Sequence, residues 1–177
     1  MSRVYIGLGA NLGPARSTLR AALREIQQLG PLVASSLYRT EPLGPDPQPW
    51  YVNAVAQLDT DVPPRALLAR LLELEAKAGR PTRRRRWSPR VLDLDLILYD
   101  DRVLRTAELI LPHPDFHCRR FVLEPLAEIA PDVLDPRSGR SVAEMLRELD
   151  DPLRVERLPD SALAGRLPAS AVRTHMP

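Results

Sequence analysis

The chain has 177 residues, 44% hydrophobic and 27% charged, the size and make-up of one soluble globular domain, and no apolar run long enough to span a bilayer. Its net charge of +2 is too small to mark a nucleic-acid binder by itself, and the single Cys118 excludes an intrachain disulfide. With no signal-like N-terminus and a single cysteine, the chain is expected to be cytoplasmic and unattached to membrane; a monomer is the accompanying expectation.

In chain order, Val4, Ile6 and Leu8 alternate with Tyr5 and Gly7 as in a short strand. Gly13-Pro14 opens a helix whose Leu19, Ala22, Leu23, Ile26 and Leu29 recur at helical spacing until Gly30-Pro31. Strands follow at Leu32 to Thr40 and Tyr51 to Thr60. The loop between them carries Pro42, Pro45, Pro47 and Pro49 and is too short for a crossover helix, so the two strands should be antiparallel neighbours. A second helix runs from Pro63-Pro64 to Gly79, and Val91 to Tyr99 reads as a strand. The order β-α-β-β-α-β predicts an α+β, ferredoxin-like antiparallel sheet flanked by helices. Beyond it, Phe121 to Ile129 reads as a helix interrupted near Pro125, and Ser141 with Glu144 matches a capping box. Periodicity is lost from Asp151, so residues 1–150 are read as one domain and 151–177 as a poorly ordered tail.

The most informative stretch is Val91-Leu-Asp-Leu-Asp-Leu-Ile-Leu-Tyr99. Strand alternation puts Leu92, Leu94, Leu96 and Leu98 on one face and Asp93, Asp95, Ile97 and Tyr99 on the other. The aspartate Cα atoms are then roughly 6.6 Å apart, and at an effective dielectric of about 20 their charges repel by roughly 2.5 kcal/mol. A divalent cation removes that penalty, and two hard oxygen ligands suit Mg²⁺, which completes its shell with water and substrate phosphates. A lone D-x-D is more often a solvated pair on an edge strand, so the context decides. That context is Arg80 to Arg90, with six arginines and no acid. Such a run repels itself unless it meets anions, and next to two metal ligands it suits a loop that closes over a polyphosphate.

Tyr51 and Asn53 project from the face of their strand opposite Val52, Ala54, Ala56 and Leu58. An Asn offering donor and acceptor beside an aromatic ring suits a flat heterocycle; alone it would more often satisfy loop backbone. Gly7-Leu-Gly-Ala-Asn-Leu12 fails the dinucleotide fingerprint, no P-loop is present, and Pro112 and Pro114 around His113 argue against a helical metal pair with His117.

These residues resemble a known family, the 6-hydroxymethyl-7,8-dihydropterin pyrophosphokinases of folate biosynthesis. The matching text is Tyr5 to Gly13, Tyr38-Arg-Thr-Glu-Pro-Leu-Gly44, Tyr51-Val-Asn53, Gly79-Arg80, Arg86-Trp-Ser-Pro-Arg-Val-Leu-Asp-Leu-Asp-Leu-Ile97, and Leu111 to Pro114 leading to Arg119 to Leu126. Ser88 departs from the family's usual glycine. The resemblance implies a ferredoxin-like fold and transfer of pyrophosphate from ATP to the pterin hydroxymethyl group, releasing AMP. It implies two Mg²⁺ ions on Asp93 and Asp95, with Arg86 and Arg90 completing the catalytic set. Thr40, Leu43, Tyr51, Asn53 and Phe121 would form the pterin pocket, the ring stacked between Tyr51 and Phe121, with Trp87 also contacting substrate. Glu75, Arg86, Trp87, Arg90, His113 and Arg119 would line the nucleotide site. Its partners would be small molecules, with neither nucleic acid nor membrane. The rival reading is a ferredoxin-like RNA-binding module using the arginine loop; it requires aromatics spread over an open sheet, whereas aromatics make up only 5% of the chain.

Overall fold

The computed structural model describes residues 1–44, 47–79 and 88–159. The elements are β1 (Ser2–Ala10), α1 (Ala15–Ile26), β2 (Leu32–Ala34), β3 (Tyr38–Thr40), β4 (Tyr51–Thr60), α2 (Pro64–Lys77), β5 (Asp93–Tyr99), β6 (Leu104–Arg105), β7 (Ile110–Leu111), α3 (Arg120–Ile129), α4 (Val142–Glu148) and β8 (Val155–Arg157). The main sheet is antiparallel in the order β5-β1-β4-β3-β8, and β2 also pairs with β4. The placement of β1 between β4 and β5 is the ferredoxin-like arrangement predicted from the order of elements.

The alternation in β1 builds the first core. Val4, Ile6, Leu8 and Ala10 pack with Leu19, Leu23 and Ile26 of α1 and with Leu67 and Leu71 of α2, all buried. Burying each large aliphatic side chain contributes on the order of 1.5–3 kcal/mol. The second face joins Tyr5, Val55 and Leu98 of the sheet to Val122, Leu123 and Leu126 of α3, to Val142 and Met145 of α4, and to Phe116. Both faces therefore carry packed helices, which lends no support to the open, aromatic-lined sheet that the RNA-binding reading required.

Three local expectations are corrected. The strand foreseen over 32–40 is split into β2 and β3, because the Ser35 side chain enters the ladder: its hydroxyl accepts from the Val55 N–H at 3.0 Å. Ser36 is then held by Glu128 of α3, which accepts from its N–H at 3.0 Å and its hydroxyl at 2.8 Å. Helix α3 runs unbroken through Pro125, with Leu123, Pro125 and Leu126 all buried. Finally, residues 151–159 are not a loose tail. β8 pairs with β3, and Leu158 donates to the Leu37 carbonyl at 2.9 Å. Residues 160–177 lie outside the described residues.

A bulge in β5 corrects a fourth. Tyr5 faces Leu98 and Ile6 faces Leu96, so Ile97 has no partner of its own in β1. Beyond it the alternation is reset: Leu98 joins the α3 side and Tyr99 the α1/α2 side, the reverse of strict alternation. The Ile97 carbonyl accepts from the His113 N–H at 2.9 Å. This ties the turn after β7, which contains a cis Leu111–Pro112 bond, to the edge of the sheet.

The predicted capping box is present. Ser141 Oγ accepts from the Glu144 N–H at 3.2 Å, and the Glu144 carboxylate accepts from the Ser141 N–H at 2.8 Å. Ser141→Ala should lower stability by about 1 kcal/mol, read as a shift of the urea midpoint at unchanged slope.

Candidate active site

At one end of the sheet β5, β1, β4 and β3 carry Asp93, Gly9, Asn53 and Tyr38 side by side, facing the first turn of α3. There a cavity of about 260 Å³ opens. Its floor is backbone, because β1 presents Gly7 and Gly9 on this face. A Cβ on Gly9 would stand 2.8 Å from Asn53 Oδ1, and one on Gly7 3.2 Å from Ile97 Cδ1. Glycine at these two positions keeps the carboxylate strand and the amide strand open to a common space.

On the β4 side, Asn53 is 7% exposed, and its Nδ2 donates to Thr40 Oγ1 at 2.6 Å. That bond fixes which way the amide points. The Tyr51 hydroxyl donates to the Ser88 carbonyl at 3.2 Å. Leu43 and Phe121 complete an apolar wall.

On the β5 side, Asp93 and Asp95 point into the cavity from the same face, and Arg90 forms an ion pair with Asp93. Desolvation, reinforced by the Asp93 charge and opposed by Arg119, pushes the Asp95 carboxyl up to about 6. Two hard-oxygen donors side by side in a partly desolvated wall fit a divalent cation. No group of three or more His, Cys, Asp or Glu suited to a metal occurs among the described residues, so water and substrate would supply the remaining ligands. Arg119 donates to Asp115 at 2.7 Å, and its guanidinium lies 5.8 Å from the Phe121 ring centroid. Burial and then the nearby Arg119 charge drop His113 to about 4, so at neutral pH it is uncharged. Its Nδ1 accepts from the Asp115 N–H at 3.2 Å, which leaves the ring proton on Nε2.

Ten of the thirteen residues nominated from the sequence line this cavity: Thr40, Leu43, Tyr51, Asn53, Arg90, Asp93, Asp95, His113, Arg119 and Phe121. Arg86 and Trp87 lie outside the described residues, as does most of the loop expected to close over polyphosphate. Glu75 stands elsewhere. It is 2% exposed on α2, and its carboxylate accepts from the Leu94 N–H at 2.7 Å. This places it on the helix side of β5, where it satisfies the strand's outer edge instead of lining the cavity.

Sequence reading missed Asn11. Its Nδ2 donates to Gln48 Oε1 and the Pro49 carbonyl, both at 3.0 Å, while its Oδ1 accepts from the Arg90 N–H at 2.7 Å. The Arg90 carbonyl in turn accepts from the Asn11 N–H at 2.9 Å. One buried amide thus joins the end of β1 to the chain before β4 and the chain before β5. The available signal was a polar residue directly after an apolar strand.

The sequence model of the 7,8-dihydro-6-hydroxymethylpterin-pyrophosphokinase family matches residues 5–131. The chain belongs to this family. A curated pyrophosphokinase of this kind from Synechocystis is 45% identical over 148 residues, covering 82% of this chain and 75% of the relative. One from Haemophilus influenzae is 43% identical over 154 residues, covering 85% and 95%. Both are named 2-amino-4-hydroxy-6-hydroxymethyldihydropteridine pyrophosphokinase. The crystal structure of wild-type Plasmodium falciparum HPPK-DHPS with pteroate superposes with a TM-score of 0.66 at 12% identity over 82% of this chain. The chain spans 42% of that longer protein, and the match supports the fold.

Within this pyrophosphokinase scaffold the bare floor is open to a direct test. Gly9→Ala should force Asn53 away from Thr40 and weaken pterin binding about tenfold, the equivalent of roughly one hydrogen bond in a closed pocket. Calorimetric titration with the pterin reads this change, while the unfolding midpoint should move little.

Proposed function

We propose that the chain transfers the β,γ-pyrophosphoryl unit of ATP to the hydroxymethyl group of 6-hydroxymethyl-7,8-dihydropterin, releasing AMP. The observation that carries this reading is the glycine-floored cavity, with paired aspartates on one wall and the Thr40-oriented Asn53 on the other. The family membership supports it.

Asn53, Tyr51 and Phe121 bind the flat pterin: the amide pairs with its polar edge, and the rings stack on its faces. This sets the hydroxymethyl arm toward Asp93 and Asp95. Asp93 and Asp95 would hold Mg²⁺, two ions in this reading, and the metal would supply neutralisation of phosphate charge and acidification of the attacking hydroxyl. Arg90 and Arg119 orient the phosphates by charge-assisted hydrogen bonds, and the neutral His113 donates from Nε2. Arg86 and Trp87 contribute to the nucleotide side. No protein general base is assigned, because orientation and charge neutralisation account for most of the acceleration in this class of transfer.

AMP should form from ATP only when both the pterin and Mg²⁺ are present, and chelation by EDTA should stop it. Asp95→Asn should cut kcat by about a hundredfold or more, as loss of a transition-state electrostatic contact does. Its thermal midpoint should hold or rise, since one member of a repelling pair is removed. Normal turnover by this variant at millimolar Mg²⁺ would refute the metal assignment. Phe121→Ala should cost about 1–3 kcal/mol in pterin affinity, by analogy with stacked bases, and leave binding of an ATP analogue alone unchanged.

A further inference from the structure

The family sequence model ends at residue 131, yet the pterin side of the cavity is braced from beyond that point. β8 covers the outer edge of β3 with Tyr38 opposite Arg157, Arg39 opposite Glu156 and Thr40 opposite Val155. The residue just before β8 is Arg154. Its N–H donates to Glu41 Oε2 at 3.0 Å, its Nε donates to Glu41 Oε1 at 3.1 Å, and its carbonyl accepts from the Glu41 N–H at 3.1 Å. Glu41 itself lines the cavity. The Arg154 guanidinium also lies over the Trp50 ring, 5.1 Å from its centroid, where Arg39 approaches to 4.3 Å. Trp50 immediately precedes Tyr51.

One residue therefore holds both ends of the connection between β3 and β4: Glu41 where it leaves β3 and Trp50 where it enters β4. We infer that Arg154 is a positioning residue for the pterin pocket, clamping this connection so that Thr40, Leu43 and Tyr51 are set before substrate arrives. This rests on the reading that the cavity binds the pterin.

The placement of the contacts argues against a merely decorative surface pair. An isolated exposed ion pair contributes little, but here three hydrogen bonds and a ring contact converge on a single arginine. The backbone N–H and the guanidinium of Arg154 hold the Glu41 carboxyl below the usual carboxylate range, so the clamp stays charged through the neutral pH range. Asp93 and Asp95 lie across the floor, separated from β3 by β1 and β4. Releasing the clamp should thus impair preorganisation for the pterin without disturbing the reacting end.

The test is steady-state kinetics with pterin and ATP varied separately, on Arg154→Ala, Arg154→Lys, Glu41→Gln and the Arg154→Ala/Glu41→Gln pair. Arg154→Ala should raise the pterin KM about three- to tenfold, with kcat and the ATP KM within about twofold of the parent. The double variant should be no worse than the worse single one, and Arg154→Lys should recover part of the loss. An unchanged pterin KM, or an ATP KM that rises in step, would overturn the clamp. If the parent chain makes no AMP from the pterin, the functional reading falls instead, and hydrogen exchange then decides the clamp. Faster exchange at the Glu41 amide in Arg154→Ala supports it, and equal protection overturns it.

Discussion

Two glycines on one face of β1 leave a strip of bare backbone between a strand bearing carboxylates and a strand bearing an amide and a phenol. β1 is hydrogen-bonded along both edges, so neither neighbour can slide to close the strip. A one-residue slip would also expose Val4, Ile6 and Leu8 and bury the glycines against α1 and α2. The apolar alternation that drives the fold is thus the same pattern that fixes the cavity floor. Asn53 and Asp93 meet across Gly9 because the core on the opposite face permits only this register.

Charge is arranged around that floor with few redundant parts. Asp93 is paired with Arg90, Arg119 with Asp115, and Asp95 has its proton affinity raised by burial and by Asp93. Asn11 ties the backbone of Arg90 to the segment that carries Gln48. The wall proposed to meet phosphate and the connection proposed to meet the heterocycle thus share one buried amide. The link between the two sides is made of hydrogen bonds from the Asn11 amide to Gln48, Pro49 and the Arg90 backbone.

How much of this was legible in the sequence depended on the range of the interaction. The Val4–Ile6–Leu8 alternation, the glycine and proline stops, the Ser141–Glu144 cap and the shared face of Asp93 and Asp95 are all local patterns, and each corresponds to what is observed. The resemblance to a family supplied residues that no spacing rule connects, such as Phe121 and His113. Neither route revealed contacts whose partners lie far apart in the chain: Ser35 entering the ladder of β4, Asn11 reaching Arg90, β8 returning to β3. Glu75 is a further case: the family pattern suggested its place in the nucleotide site, while the hydrogen bond its carboxylate accepts from the Leu94 N–H of β5 followed from no spacing rule.

The extra residue at Ile97 divides β5 into two half-strands that are out of phase with each other. The first half turns Asp93 and Asp95 into the cavity; the second turns Leu98 into the packing beneath α3 on that same side of the sheet. A strictly regular strand would couple these tasks, since any rotation that improved the fit under α3 would swing the aspartates as well. With the phase broken at one position, the layer around Leu98 can accept different side-chain volumes while Asp93 and Asp95 keep their heading. Sequence drift in the core is in this way decoupled from the geometry of the chemistry.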